Sequence, residues 1–215
     1  MTQIAGEAVL RVPLVNLGKS GLRVSKLGFG EVDFGEKDPF HLGPKEGWRI
    51  LTEAYKLGVN FWDSSDDYDT HPLGASALKL LPRKDVVISY KTSAKNGREA
   101  NRSLKSFLKE LNTDYIDIFL LHCVQSDWMK GRSRMLKELD ALKATGTVRA
   151  IGLSTHSVSV VREAALIEEV NVILTICCRQ ALRLSTNTFQ SKTEPSRKCT
   201  LQSNWLTTTE KEPLQ

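Results

Sequence analysis

From residue 27 to residue 177 the chain alternates short apolar runs with longer stretches of helical spacing. The runs are rich in Val, Ile and Phe and are centred near Phe29, Phe61, Val87, Ile118, Ile151 and Ile173. Short β-branched and aromatic runs bounded by turn residues predict strands. Between them apolar residues return every third or fourth position. Leu104, Phe107, Leu108 and Leu111 share one face of 101–111; Met135, Leu139 and Leu142 do so in 133–143; 160–169 forms a third such stretch. Gly58, Gly146 and the Asn112-Thr113 pair fall where helices should end. Before the repeat, 12–17 and 22–25 flank Gly18-Lys-Ser-Gly21 and predict a β-hairpin.

Strands alternating with helices imply βαβ units and parallel pairing. A doubly wound sheet would carry G-x-G-x-x-G after its first strand, but only Gly28-Phe-Gly30 is present and Asp33 stands at the third glycine. A barrel of the (β/α)8 TIM type accounts for the repeat better. Such a barrel takes about 250 residues and eight strands, whereas about six strand–helix units are legible in this chain of 215 residues. The expected organisation is therefore an incomplete TIM-barrel domain over 1–178, opened by the hairpin, and a polar tail over 179–215. The tail is rich in Ser, Thr, Asn and Gln without apolar period, the composition of a disordered segment. An open six-stranded sheet has two bare edges, so self-association through them is expected.

Composition narrows the function classes. At 40% hydrophobic and 26% charged residues, the chain has the balance of a soluble globular protein. Its formal charge of +5 is spread without a dense Lys/Arg block, which argues against a nucleic-acid partner. The N-terminal residues show no basic region followed by an apolar core, and the apolar runs fall far short of the ~20 residues that span a bilayer. A cytoplasmic location and no membrane partner are the expectation. Cys123, Cys177, Cys178 and Cys199 lack metal-ligand spacing and read as free thiols. His71 and His156 read as loop histidines without a carboxylate at metal spacing, so no metal site is expected. Trp48, Trp62 and Trp128 read as packing residues.

Candidate chemistry lies at the strand ends. Asp63, Lys91 and His122 close the second, third and fourth runs, and Tyr68 follows five residues after Asp63. Parallel sheets gather functional groups at the carboxyl ends of their strands, so a carboxylate, an ammonium, an imidazole and a phenol would converge into a proton-donating site. Taken singly, each has a structural reading as well: a surface tyrosine, a solvated lysine, a turn-capping aspartate, a histidine at the barrel rim.

Together these segments resemble the aldo-keto reductase family over about 14–175. Gly58-Val-Asn-Phe-Trp-Asp-Ser-Ser-Asp-Asp-Tyr68 is similar to the family segment with the catalytic aspartate and tyrosine, Ile88-Ser-Tyr-Lys91 to the strand end with the lysine, and Asp114-Tyr-Ile-Asp-Ile-Phe-Leu-Leu-His122 to the strand with the histidine. Val148-Arg-Ala-Ile-Gly-Leu-Ser-Thr155 resembles the strand whose Ser and following polar residue, here Ser154 and Thr155, bind the nicotinamide amide. The resemblance implies NADP(H)-dependent reduction of a small-molecule aldehyde or ketone. Tyr68 would donate the proton, Lys91 would favour its phenolate, Asp63 would hold Lys91, and His122 would orient the substrate oxygen. The chain departs from the family at Asp69, where a glycine usually follows the tyrosine, and at Glu31, where a small or hydroxyl residue is usual. Nothing in 179–215 resembles the family's adenosine-binding segments, and the pattern is lost abruptly between Cys178 and Leu184. Two alternatives therefore stand beside the enzyme: a catalytically inactive truncated or frameshifted chain, and a non-catalytic partner-binding module.

Overall fold

The computed structural model describes residues 11–34, 43–126 and 129–175. The expectations for the tail over 179–215, for Trp128 and for Cys177, Cys178 and Cys199 lie outside these residues. The predicted hairpin is present: strands β1 (Leu14–Asn16) and β2 (Arg23–Ser25) pair antiparallel across a turn in which Gly18 and Gly21 both have positive φ. The repeat follows as β3 (Gly28–Gly30), helix α1 (Gly43–Lys56), β4 (Phe61–Ser65), α2 (His71–Leu78), β5 (Val87–Thr92), α3 (Gly97–Leu111), β6 (Ile116–Leu121), α4 (Met129–Ala144), β7 (Val148–Thr155), α5 (Val158–Ala164) and β8 (Val172–Thr175). Strands β3 to β8 form one parallel sheet in chain order. It is a curled half-barrel of the TIM type.

Each face of the sheet has its own core. On the helix-covered face Trp62, Ile88, Tyr90, Phe119, Leu121, Ile151 and Leu153 pack against Leu51, Leu73, Leu104, Phe107, Leu139 and Val160 of the helices. The inner face carries Phe61, Val87, Ile118, Leu120, Ala150 and Val172, and hairpin residues Leu17, Leu22 and Val24 close over them. Because both faces are covered, β5 and β6 are buried at every position, which is why they read as continuous apolar runs rather than alternating ones.

All three helices read from the periodic pattern differ from it in length, α4 by beginning at Met129, four residues before 133. Helix α3 begins four residues before 101, because Asn96 caps it by accepting the Glu99 backbone N–H at 3.0 Å while Glu99 accepts from the Lys95 N–H at 2.9 Å. This polar first turn has no apolar rhythm to announce it. It ends at Asn112 in the left-handed conformation. Helix α5 stops at Ala164, well before 169, where i to i+3 turns take over and Leu166 is left exposed.

Gly152 marks a close approach at the rim of the sheet. A Cβ there would lie 1.7 Å from the Val172 carbonyl oxygen and 2.8 Å from its carbon. Backbone atoms cannot swing aside as a flexible side chain can, so Gly152→Ala should push β8 away from β7. Overpacking of this kind costs about 1–3 kcal/mol. The expected result is a urea midpoint lowered accordingly.

Candidate active site

Alternation along the strands decides which side chains share the inner face. On β4, Phe61 packs in the inner core, so Asp63 and Ser65 point the same way. On β5 the inner residue Val87 brings Ser89 and Lys91 with it. On β6, Ile118 and Leu120 lead to His122, and on β7 Ala150 leads to Gly152 and Ser154. The parallel register sets Lys91 beside Ser65 and Leu120. Residues separated by 28 and 57 positions thereby become neighbours.

The structure brings the four strand-end residues together. Lys91 is fully buried and its ammonium is ion-paired with Asp63 Oδ2. A buried charge requires such a partner. Lys91 Nζ also lies 4.9 Å from the centroid of the Tyr68 ring, and the edge of that ring meets His122 at 5.8 Å with planes at 82°. Both Tyr68 and His122 are buried, at 6% and 3% exposure. The His122 backbone N–H donates to the Thr92 carbonyl at 2.9 Å, and its Nδ1 lies 3.0 Å from Ser65 Oγ and 3.2 Å from Asp67 Oδ2.

Tyr68 reaches this position through a short, heavily bonded turn between β4 and α2. Its N–H donates to the Ser65 carbonyl at 3.2 Å, and the Asp66 N–H donates to the Lys91 carbonyl at 3.1 Å. The Asp66 carboxylate accepts from Thr92 Oγ1 at 2.6 Å, Ser103 Oγ at 3.0 Å and the Ser93 N–H at 3.1 Å. Asp66, Asp67 and His122 place ligand-type atoms within 4.8 Å of one another, but the Asp66 oxygens serve these bonds as a clamp. Asp69 has φ +56°, the left-handed region in which the glycine usual at this position would be unstrained. Aspartate is among the residues that tolerate it.

The two residues of β7 part company. Ser154 is on the inner face, and its Oγ accepts the Cys123 N–H at 2.9 Å. Thr155, one position on, is fully buried on the helix side, donating to the Val124 carbonyl at 2.7 Å and accepting the Ser157 N–H at 3.0 Å.

Other expectations are corrected. His71 is not a partnerless loop histidine: it opens α2, with Nδ1 2.5 Å from Glu110 Oε2 and Nε2 3.2 Å from the Ser65 carbonyl. Cys123 is disulfide-bonded rather than a free thiol, and it follows the strand end with φ +48°. His156, though exposed, is shifted below the ordinary histidine value, first by partial desolvation and then by His122.

Three contributors were missed in the sequence. Ser65 had a usable signal, because it lies two residues after Asp63 and must share its face. Asp67 had none, since its contact depends on the turn. Glu31 is buried to 2% exposure just past β3 on the helix side of the sheet, where its Oε2 accepts from Thr70 Oγ1 at 3.2 Å. Burial pushes its carboxyl up to about 7, aided by the Asp63 charge and opposed by hydrogen bonds from Ser64 and Thr70 and by Lys91.

A family model described as the aldo/keto reductase family matches residues 26–182. The Glycine max protein called probable aldo-keto reductase 1 is 31% identical over 175 residues, covering 74% of this chain and 49% of that protein. The L-galactose dehydrogenase of Arabidopsis thaliana is 30% identical over 159 residues, covering 67% of this chain and 49% of that protein. Among solved structures, the holo form of an aldo-keto reductase from Bacillus halodurans superposes with a TM-score of 0.66 at 25% identity, over 78% of this chain and 58% of that one. The chain spans about half the length of the curated relatives it matches.

Proposed function

The chain belongs to the aldo/keto reductase family, and from that premise we propose that its inner-face site serves NADP(H)-dependent reduction of a small aldehyde or ketone, with Tyr68 as the proton donor. One observation carries this reading: Asp63, Lys91, Tyr68 and His122 form a continuous line of contacts at the carboxyl ends of three neighbouring strands. When bound, the nicotinamide supplies the hydride.

The chain's own groups do the rest. Asp63 holds the Lys91 ammonium in a site without bulk water, and that cation faces the Tyr68 ring. Positive charge beside a phenol stabilises the phenolate left after proton transfer. His122 is fixed through Nδ1 by Ser65 and Asp67; its contact with the Tyr68 ring places the imidazole where it can orient a carbonyl oxygen for protonation. The residues present fit a nicotinamide nucleoside. The Ser154 hydroxyl accepts one backbone N–H and keeps a proton to donate. Asp63 Oδ1 is a buried acceptor without a hydrogen bond among the described residues, suited to a sugar hydroxyl or carboxamide N–H. Ser154 and Asp63 are therefore the groups assigned to hold the cofactor. Thr155, whose hydroxyl is bonded on the far face, would act by holding the end of β7.

NADPH titration tests the reading directly. A ligand that binds only the folded state stabilises it by about 2.7 kcal/mol at a hundredfold excess over Kd. Millimolar NADPH is therefore expected to raise the melting temperature, and to do so more than NADH. If NADPH produces neither a thermal shift nor a change in nicotinamide fluorescence, the proposal fails. Binding without reduction of a generic aldehyde would favour the non-catalytic reading.

A further inference from the structure

Glu31 has no part in the proton-donating line, yet it is a buried carboxyl placed behind it. Its backbone N–H donates to the Asp63 carbonyl at 3.0 Å, and its own carbonyl accepts the Phe34 N–H at 3.1 Å. The residue is thus tied to the strand that carries Asp63. Its side chain takes the helix side of the sheet and lies close under Gly74 of α2, whose Cβ position would be 3.6 Å from Glu31 Oε1. There it accepts the Thr70 hydroxyl at 3.2 Å, and Thr70 Oγ1 lies 3.4 Å from Ser64 Oγ. All three residues are at or below 2% exposure. Thr70 closes the turn that presents Tyr68, and Ser64 belongs to the strand that opens it.

We propose that Glu31 is a positioning residue for Tyr68, fastening the turn between β4 and α2 to the sheet through Thr70 and Ser64 and so setting the phenol against Lys91. The assignment of a purpose to that position rests on the carbonyl-reduction reading; the coupling between Glu31 and Tyr68 does not. As a neutral acid, Glu31 fills its apolar slot at little cost. Ionised, it places a second negative charge near Asp63 and draws on the same Lys91. The charged groups that act on it, from the other face of the sheet, are Asp63 on β4 and Lys91 on β5. On α2, packed over it, His71 is the titratable group, and it is engaged by Glu110. Since the folded value of about 7 lies above the ordinary 4.5, the stability that Glu31 contributes is complete below about pH 4.5. It is lost as pH rises through 7.

The test uses the full chain carrying 3-fluorotyrosine at its four tyrosines, with the Tyr68 fluorine signal identified by its absence in Tyr68→Phe. In the unsubstituted chain this signal should move with an inflection near pH 7. In Glu31→Gln, which keeps the shape but cannot ionise, the inflection should vanish and the signal should stay at its low-pH position. An inflection that persists unchanged in Glu31→Gln belongs to another group and overturns the proposal. If Glu31→Gln does not fold, Thr70→Val cuts the link with Glu31 intact. A smaller inflection there, restored in Thr70→Ser, supports the proposal, and an unchanged one overturns it. Because neither cofactor nor turnover is needed, this result stands apart from the outcome of the NADPH titration.

Discussion

Replacing Tyr68 by phenylalanine is expected to reduce NADPH-dependent aldehyde reduction by roughly 10²–10⁴-fold, the usual contribution of a positioned general acid. Binding of NADPH and the melting temperature should stay nearly unchanged. The separation follows from the geometry. Tyr68 is buried, its ring packs edge-on against His122, and the Lys91 ammonium lies 4.9 Å from its centroid. Phenylalanine keeps the ring, and therefore the packing and the attraction between cation and ring. Only the hydroxyl is removed, so the loss reports on proton delivery rather than on folding. The measurement is kcat and NADPH affinity on the same preparation. A variant that keeps more than about a tenth of the turnover cannot have lost its general acid, and the role assigned to Tyr68 would go with it.

The convergence of this site was legible in the sequence because Asp63, Lys91 and His122 close consecutive strand-like runs, and a parallel sheet gathers its strand ends on one side. Which face they share was not, because the runs of β5 and β6 are buried on both sides. What also could not be read is what holds them. The Ser65–His122 contact joins residues 57 apart, and the Thr70–Glu31 bond joins residues 39 apart; both depend on strand register and on a turn whose path is set by left-handed Asp69. Glu31 is the clearest case. In the sequence it stood only as a departure from the family, at a position where a small or hydroxyl residue is usual, and its burial beside Thr70 and Ser64 depends on the turn and on β4 coming alongside. The hairpin was legible as β1 and β2, but not its task. Leu17, Leu22 and Val24 close the inner core at the end of the sheet opposite the site, a consequence of the sheet's curl that local patterning does not encode. In keeping with the absence of any long apolar run, no helix among the described residues could cross a membrane.

That opposite end holds the residue whose loss should cost the fold most. Asp117 is 1% exposed near the start of β6, and both its oxygens are engaged. Oδ2 accepts from Arg83 Nη2 at 2.7 Å and from the Ile88 N–H of β5 at 3.0 Å, while Oδ1 accepts from Arg149 Nη1 of β7 at 2.9 Å. One carboxylate thus joins three consecutive strands. Arg83 is held in turn by the Val86 and Tyr115 carbonyls, and its guanidinium lies 4.1 Å from the Tyr115 ring centroid. Asp117→Ala would leave the Ile88 N–H buried without its acceptor and the Arg83 guanidinium without its charge partner. Arg149, half exposed, can turn to water and adds little. Removing one member of a buried, hydrogen-bonded pair costs about 3–5 kcal/mol, against a total stability of roughly 5–15 kcal/mol for a domain. The expected result is a urea midpoint reduced by roughly a fifth or more with little change in slope, and a smaller reduction for Asp117→Asn, which keeps an acceptor for Ile88. The site residues lie at the other ends of the strands, so the fraction that remains folded should bind NADPH as before. If Asp117→Ala unfolded at the same urea concentration as the unsubstituted chain, the clamp between β5, β6 and β7 would be incidental to the fold.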